Sequence, residues 1–83
     1  MQRTDLEAIN PENNVHRFYT VMIETNLFQE YTVTTSYGRI GHRGQTKSYL
    51  FETHAEAQNK YEKIIKKRLN ASKRIGTNYH IIQ

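Results

Sequence analysis

The sequence predicts an α+β domain, an antiparallel sheet of four to five strands with one long α-helix packed across a face. Three observations predict it. Runs rich in β-branched and aromatic residues recur between residues 16 and 51, with period-two alternation clearest from Tyr31 to Tyr37. Apolar residues then return at helical spacing from Ala57 to Leu69. Clusters of turn-forming residues separate the runs.

Leu6-Glu7-Ala8-Ile9 alternates briefly and stops at Asn10-Pro11-Glu12-Asn13-Asn14, which reads as a short first strand and a loop, because proline cannot continue a strand ladder. His16 to Ile23 forms the second strand. A polar connection, Glu24-Thr25-Asn26, follows, with Leu27-Phe28 tucked behind it. Tyr31 to Tyr37 forms the third strand, placing Tyr31, Val33, Thr35 and Tyr37 on one face and Thr32, Thr34 and Ser36 on the other. Gln45 to Phe51 forms the fourth, its two faces too mixed in character to choose the buried one.

Thr53-x-x-Glu56 matches a capping box, so the helix starts there. Ala57, Tyr61, Ile64, Ile65 and Leu69 should press on the sheet, with Lys60, Lys63, Lys66 and Lys67 towards solvent. Gly76 marks the latest end of the helix, and Tyr79-His80-Ile81-Ile82 reads as a last short strand.

With 83 residues the chain forms a single domain, residues 1–83. A domain of this size buries only about 60–65% of the surface its unfolded chain exposes, so its core must be compact. It has no cysteine, hence no disulfide framework and no zinc-thiolate site to reinforce that core. The N-terminus lacks the apolar region of a signal peptide, and no stretch approaches the roughly 20 apolar residues of a membrane span. The expectation is a cytoplasmic, monomeric protein. Asn70-Ala71-Ser72 fits a glycosylation acceptor, which has no role without secretion.

The formal net charge is +4, unevenly spread. Up to Ser36, Arg3 and Arg17 face Asp5, Glu7, Glu12, Glu24 and Glu30. From Tyr37 onward Arg39, Arg43, Lys47, Lys60, Lys63, Lys66, Lys67, Arg68, Lys73 and Arg74 face only Glu52, Glu56 and Glu62. A basic half on a mixed domain is the electrostatic footprint of a polyanionic partner, although solvated helix faces carry lysines too.

The most telling stretch is Tyr37-Gly38-Arg39-Ile40-Gly41-His42-Arg43-Gly44, which sets an aromatic ring, glycines and arginines between two strands. Glycine permits positive φ and close approach, and arginine offers a planar fork for phosphate or carboxylate. A tight hairpin with solvated arginines is the alternative. This turn, set between strands and ahead of the helix, resembles that of the WGR domain, a small DNA-contacting module of poly(ADP-ribose) polymerases and of free-standing or fused bacterial proteins. Within Asn10 to Tyr19 the chain resembles the Asn-x-x-Arg-Phe-Tyr opening of bacterial members, and Asn26-Leu27-Phe28 is similar to their Leu-Phe hairpin connection. The resemblance spans roughly residues 6 to 82, with Tyr37 standing where the family has its name-giving tryptophan.

The resemblance implies a non-catalytic nucleic-acid-binding module, with DNA favoured over RNA. In it Tyr37 stacks on an exposed base or sugar at a DNA end, nick or single strand, and Arg39 contacts the backbone. Arg43 and Lys47 join them by proximity and charge, as neutralisers of phosphate. For Tyr37 the alternative is a ring buried against the helix; for Arg39, one that pins its own turn; for Arg17, a structural role is favoured. The other function class is a protein-interaction adaptor, docking through the same turn or the basic helix.

No cofactor is expected. Gly38-x-x-Gly41-x-x-Gly44 is not the dinucleotide fingerprint, and no phosphate-binding loop of the G-x-x-x-x-G-K-[ST] kind occurs. His16, His42, His54 and His80 lack metal-ligand spacing, and Ser36, Ser48 and Ser72 lack a nucleophile elbow, so no enzyme is expected.

Overall fold

The computed structural model describes residues 2–70 and 77–83. Five strands, β1 (Gln2–Asn10), β2 (Val15–Thr25), β3 (Tyr31–Arg39), β4 (Gln45–Phe51) and β5 (His80–Ile81), form one antiparallel sheet in the order β4-β3-β2-β1-β5. The helix α1 (His54–Leu69) crosses one face, giving the α+β architecture. Among the described residues no helix is long and apolar enough to cross a membrane.

Alternation decides which residues meet the helix. From β2 and β3 it turns Val15, Tyr19, Val21, Ile23, Val33 and Thr35 inward, all buried, and from β1 Leu6 and Ala8. Ala57 and Tyr61 close the core from α1. Burial of each large apolar side chain contributes about 1.5–3 kcal/mol. The core has two parts, one around Val21, Val33, Ala57 and Tyr61, the other around Leu6, Ala8, Tyr19 and Tyr79. Ile64 packs against both. In β4 the inward side is the one carrying Tyr49 and Phe51, which resolves the face that alternation left open.

Among the described residues no helix covers the opposite sheet face. There hydroxyls pair across strands, Thr34 with Ser48 at 3.3 Å and Ser36 with Thr46 at 3.2 Å.

Several expectations need correction. β1 begins at Gln2 rather than Leu6: Gln2 pairs with Ile23, Thr20 donates to Asp5 at 2.9 Å, and the Thr4 and Tyr61 hydroxyls bond each other. Those partners lie in β2 and α1, so pairing extends a strand that local alternation stops short. Pro11–Asn13 is a 3₁₀ turn, with Asn14 in the left-handed conformation at φ 54°. Leu27 and Phe28 are not tucked in; they are 98% and 81% exposed. The Asn26 side chain accepts from the backbone of Phe28 and Glu30, both at 2.9 Å, and so holds the tip outward.

At the helix start Thr53 Oγ1 accepts from the Glu56 backbone N–H at 3.2 Å, as a cap requires. The second arm differs from the expected box, since the Glu56 carboxylate accepts from the Thr53 hydroxyl at 2.9 Å. Lys60 does not simply face solvent; its ammonium lies 4.4 Å above the Tyr49 ring. Gly76 and Ser72 lie outside the described residues, and β5 is shorter than expected, with Tyr79 turned into the core instead.

Candidate nucleic-acid interface

The site forms at the end of the sheet where β3 turns into β4. Arg39-Ile40-Gly41-His42 makes a tight turn closed by His42 N–H donating to the Arg39 carbonyl at 3.0 Å, with Gly41 at φ +88° in its third position. That position of a type II turn demands positive φ, which glycine adopts without steric cost. Gly44 serves close approach as well. At φ +74°, a Cβ there would collide with the Tyr37 carbonyl and come within 2.9 Å of the Phe18 ring. These glycines shape the hairpin itself, whatever approaches it from outside.

Tyr37 is half-buried. Its register partner is Tyr19, and the two rings stack at 5.3 Å with an interplanar angle of 14°. The Tyr37 hydroxyl donates to Gln45 Oε1 at 3.2 Å. The ring is thus neither sealed under the helix nor fully free, because Tyr19 takes up part of its surface. Lys47, on the same face of β4, holds its ammonium 6.0 Å from the Tyr37 ring centre.

Arg39 is exposed, and its Nη2 donates to Asn14 Oδ1 at 3.1 Å, tying the turn to the β1–β2 corner. Among the described residues the fork bonds to this side chain and to no carbonyl of its own turn. Arg43 is exposed in the β3–β4 connection. Among the described residues none of Arg39, Arg43 and Lys47 is in an ion pair. The structure therefore sets Tyr37 and Lys47 together on the helix side, with Arg39 and Arg43 on the turn beyond them.

Three residues absent from the expected site share it. Arg17 lies opposite Arg39 in the ladder, and Arg68 of α1 lays its guanidinium carbon 4.4 Å above the Tyr19 ring. Tyr79 meets Tyr19 edge-on at 6.0 Å and 71°. Burial pushes the Tyr79 hydroxyl pKa above its ordinary value, partly offset by the charges of Arg17 and Arg68 and a hydrogen bond with Arg17. A sequence signal existed for both arginines. Arg17 precedes Tyr19 by two residues, and Arg68 follows Tyr61 by seven and Ile64 by four, so periodicity puts each on the inward face.

Among the described residues no cluster of three or more His, Asp or Glu side chains could hold a metal ion. Comparison with known proteins finds an uncharacterized protein of Sinorhizobium fredii, y4dW, 34% identical over 55 residues, or 66% of this chain. The match spans only 27% of that relative's length. Residues 2–78 match the family model described as the WGR domain, a non-catalytic module known in nucleic-acid-binding contexts. With residues 2–78 of its 83 matched, the chain belongs to the WGR domain family.

Proposed function

We propose that this domain binds nucleic acid without catalysis, taking DNA ends, nicks or single strands at the sheet end formed by Tyr37, Arg39, Arg43 and Lys47. The observation that carries the reading is the gathering of exposed cations, none ion-paired among the described residues, around a half-buried aromatic ring. Phosphates supply the missing counter-charge, and the part of the Tyr37 ring that Tyr19 leaves uncovered offers a surface for an unstacked base or sugar. Single strands and ends present such groups, whereas intact duplex keeps its bases stacked.

Titration with nicked, single-stranded and intact duplex oligonucleotides across a salt series tests this. Log affinity for duplex should fall linearly with log salt, by a slope of about 0.9 per neutralised phosphate. Absence of binding at low salt, or binding indifferent to salt, would overturn it.

One observation favours a second reading, a protein-interaction adaptor. Leu27 and Phe28 project from a turn braced by Asn26, at the opposite end of β2 and β3 from the basic turn. Exposed apolar side chains on a rigid tip suit contact with a protein surface.

A further inference from the structure

Between the sheet and the C-terminal part of α1 lies an open cavity of about 280 Å³. Its lining joins cations, Arg17, Lys47 and Arg68, to the tyrosines Tyr19, Tyr37, Tyr49 and Tyr79. Among the described residues no carboxylate lines it. Arg68 Nε is buried and has no hydrogen-bond partner among the described residues. A buried donor ordinarily finds an acceptor, and here the buried Nε belongs to a half-buried guanidinium that faces an open cavity. Its guanidinium carbon lies 4.4 Å above the Tyr19 ring. Around it, Arg17 and Lys47 are exposed at the rim while Tyr79 is buried.

This donor set complements an oxyanion, and a doubly charged one best. A compact, doubly charged oxyanion would accept from the arginine forks and the ammonium, with the tyrosine rings excluding water around it. We propose that the cavity is a seat for a single phosphate group, either orthophosphate or a phosphomonoester, with Arg68 as its inner cation. The group has two possible sources, a small phosphorylated molecule or the terminal phosphate of a nucleic-acid chain. The seat shares Tyr37 and Lys47 with the proposed nucleic-acid surface but does not rest on it, because Arg17, Arg68 and Tyr79 lie outside the turn.

The test is a titration of the 83-residue chain at constant ionic strength, followed by NMR of backbone amides and tyrosine rings. Probes are orthophosphate, adenosine monophosphate, and one short oligonucleotide bearing a 5′-phosphate or a 5′-hydroxyl. Orthophosphate should bind saturably with a stoichiometry of one, its shifts concentrated at Tyr19, Arg68 and Tyr79. Arg68→Gln should weaken it about tenfold or more, as loss of a charged hydrogen-bonding partner requires. Arg68→Lys keeps the charge without the fork and should fall between, and it decides the matter if Arg68→Gln does not fold. Lys66→Gln, which removes a helix lysine outside the cavity, should change affinity less than about twofold, as expected for a screened surface charge.

Failure of both orthophosphate and adenosine monophosphate to saturate would overturn the seat, as would equal losses in Arg68→Gln and Lys66→Gln. Oligonucleotides that bind alike with either 5′ group while orthophosphate does not would sink the seat and leave the nucleic-acid reading standing. Orthophosphate binding without any oligonucleotide binding would do the reverse. With the seat intact, tighter binding of adenosine monophosphate than of the 5′-phosphorylated oligonucleotide assigns it to a small molecule, and the opposite order to a chain end.

Discussion

Arg17 lies directly opposite Arg39 across the β2–β3 ladder, both exposed and pointing to the same side of the sheet. Like charges in such a cross-strand pair oppose folding, by about 0.2–1 kcal/mol. Arg39 is drawn aside to Asn14 and Arg17 to Tyr79, which eases the repulsion without neutralising it. Arg39→Gln should therefore leave stability unchanged or raise it by up to about 1 kcal/mol. The same change should weaken every oligonucleotide and flatten the salt slope, as loss of a phosphate contact requires. Denaturant melts beside a salt-series titration read both; a fall in stability with unchanged binding would make Arg39 purely structural.

Tyr37 contributes to the fold through Tyr19 and to the proposed site through the rest of its ring. Tyr37→Ala should cost stability, since a stacked aromatic pair contributes about 0.5–1.5 kcal/mol beyond its buried area. It should also weaken nicked and single-stranded DNA by about 1–3 kcal/mol and spare intact duplex. Tyr37→Trp, which restores the family residue, should hold or improve affinity. Comparing substrates on one folded variant separates the effects: an equal loss on all three DNAs would reflect damage to the fold rather than lost stacking.

The hairpin glycines differ in what they tolerate. Gly41 has positive φ and open space around its Cβ position, whereas Gly44 has positive φ and a carbonyl in the way. Gly41→Ala should cost about 1–2 kcal/mol, the penalty of left-handed backbone for an L-residue. Gly44→Ala should cost clearly more, because backbone strain and collision add. Thermal melts of the two variants rank them; equal midpoints would mean that the β3–β4 approach relaxes freely.

Thr53→Ala removes the acceptor for the Glu56 backbone N–H and the donor to its carboxylate. Stability should fall by about 0.5–2 kcal/mol with oligonucleotide affinity unchanged, since the cap lies outside the site. An unchanged denaturation midpoint would show that α1 begins without it.

Burial raises the Tyr79 pKa in the folded chain, so its neutral form is the one the fold favours. The corresponding stability is fully present below the unfolded tyrosine pKa of about 10 and is lost as pH climbs through the higher folded value. As pH rises through about 10 and beyond, Tyr79→Phe should flatten the decline of stability with pH relative to the parent chain. Parallel curves would mean that the hydroxyl is no better protected folded than unfolded.

The sheet and helix were legible because their signals are local. Tyr31 to Tyr37 alternates, Ala57 to Leu69 repeats with the helical period, and Thr53 announces the helix start. The first half of β1 was not legible, since Gln2 to Asp5 is held by partners in β2 and α1 rather than by its own pattern. Leu27 and Phe28 misled for the opposite reason. Apolar character argues for burial, but the Asn26 side chain fixes the backbone so that both point away. In the site, the Tyr37 turn stood out as a compact string of unusual residues. Arg68 and Tyr79 did not, because they belong to distant segments that only tertiary folding brings to Tyr19, and Arg17, although two residues from Tyr19 on the same strand, gains its place in the site only through them.

β4 is the last strand on its side of the sheet, so one row of its backbone donors and acceptors has no neighbouring strand. Such a margin invites another chain to zip alongside, and a charged side chain there is the usual deterrent. Lys47 sits mid-strand on that margin, beside the Tyr37 ring. The ammonium that would meet an anion in the proposed site thus also stands where a charge opposes edge-to-edge pairing of two copies. On the proposed reading, anion binding and resistance to edge pairing would rest on one residue, so Lys47→Leu would be expected to weaken the first and relax the second together.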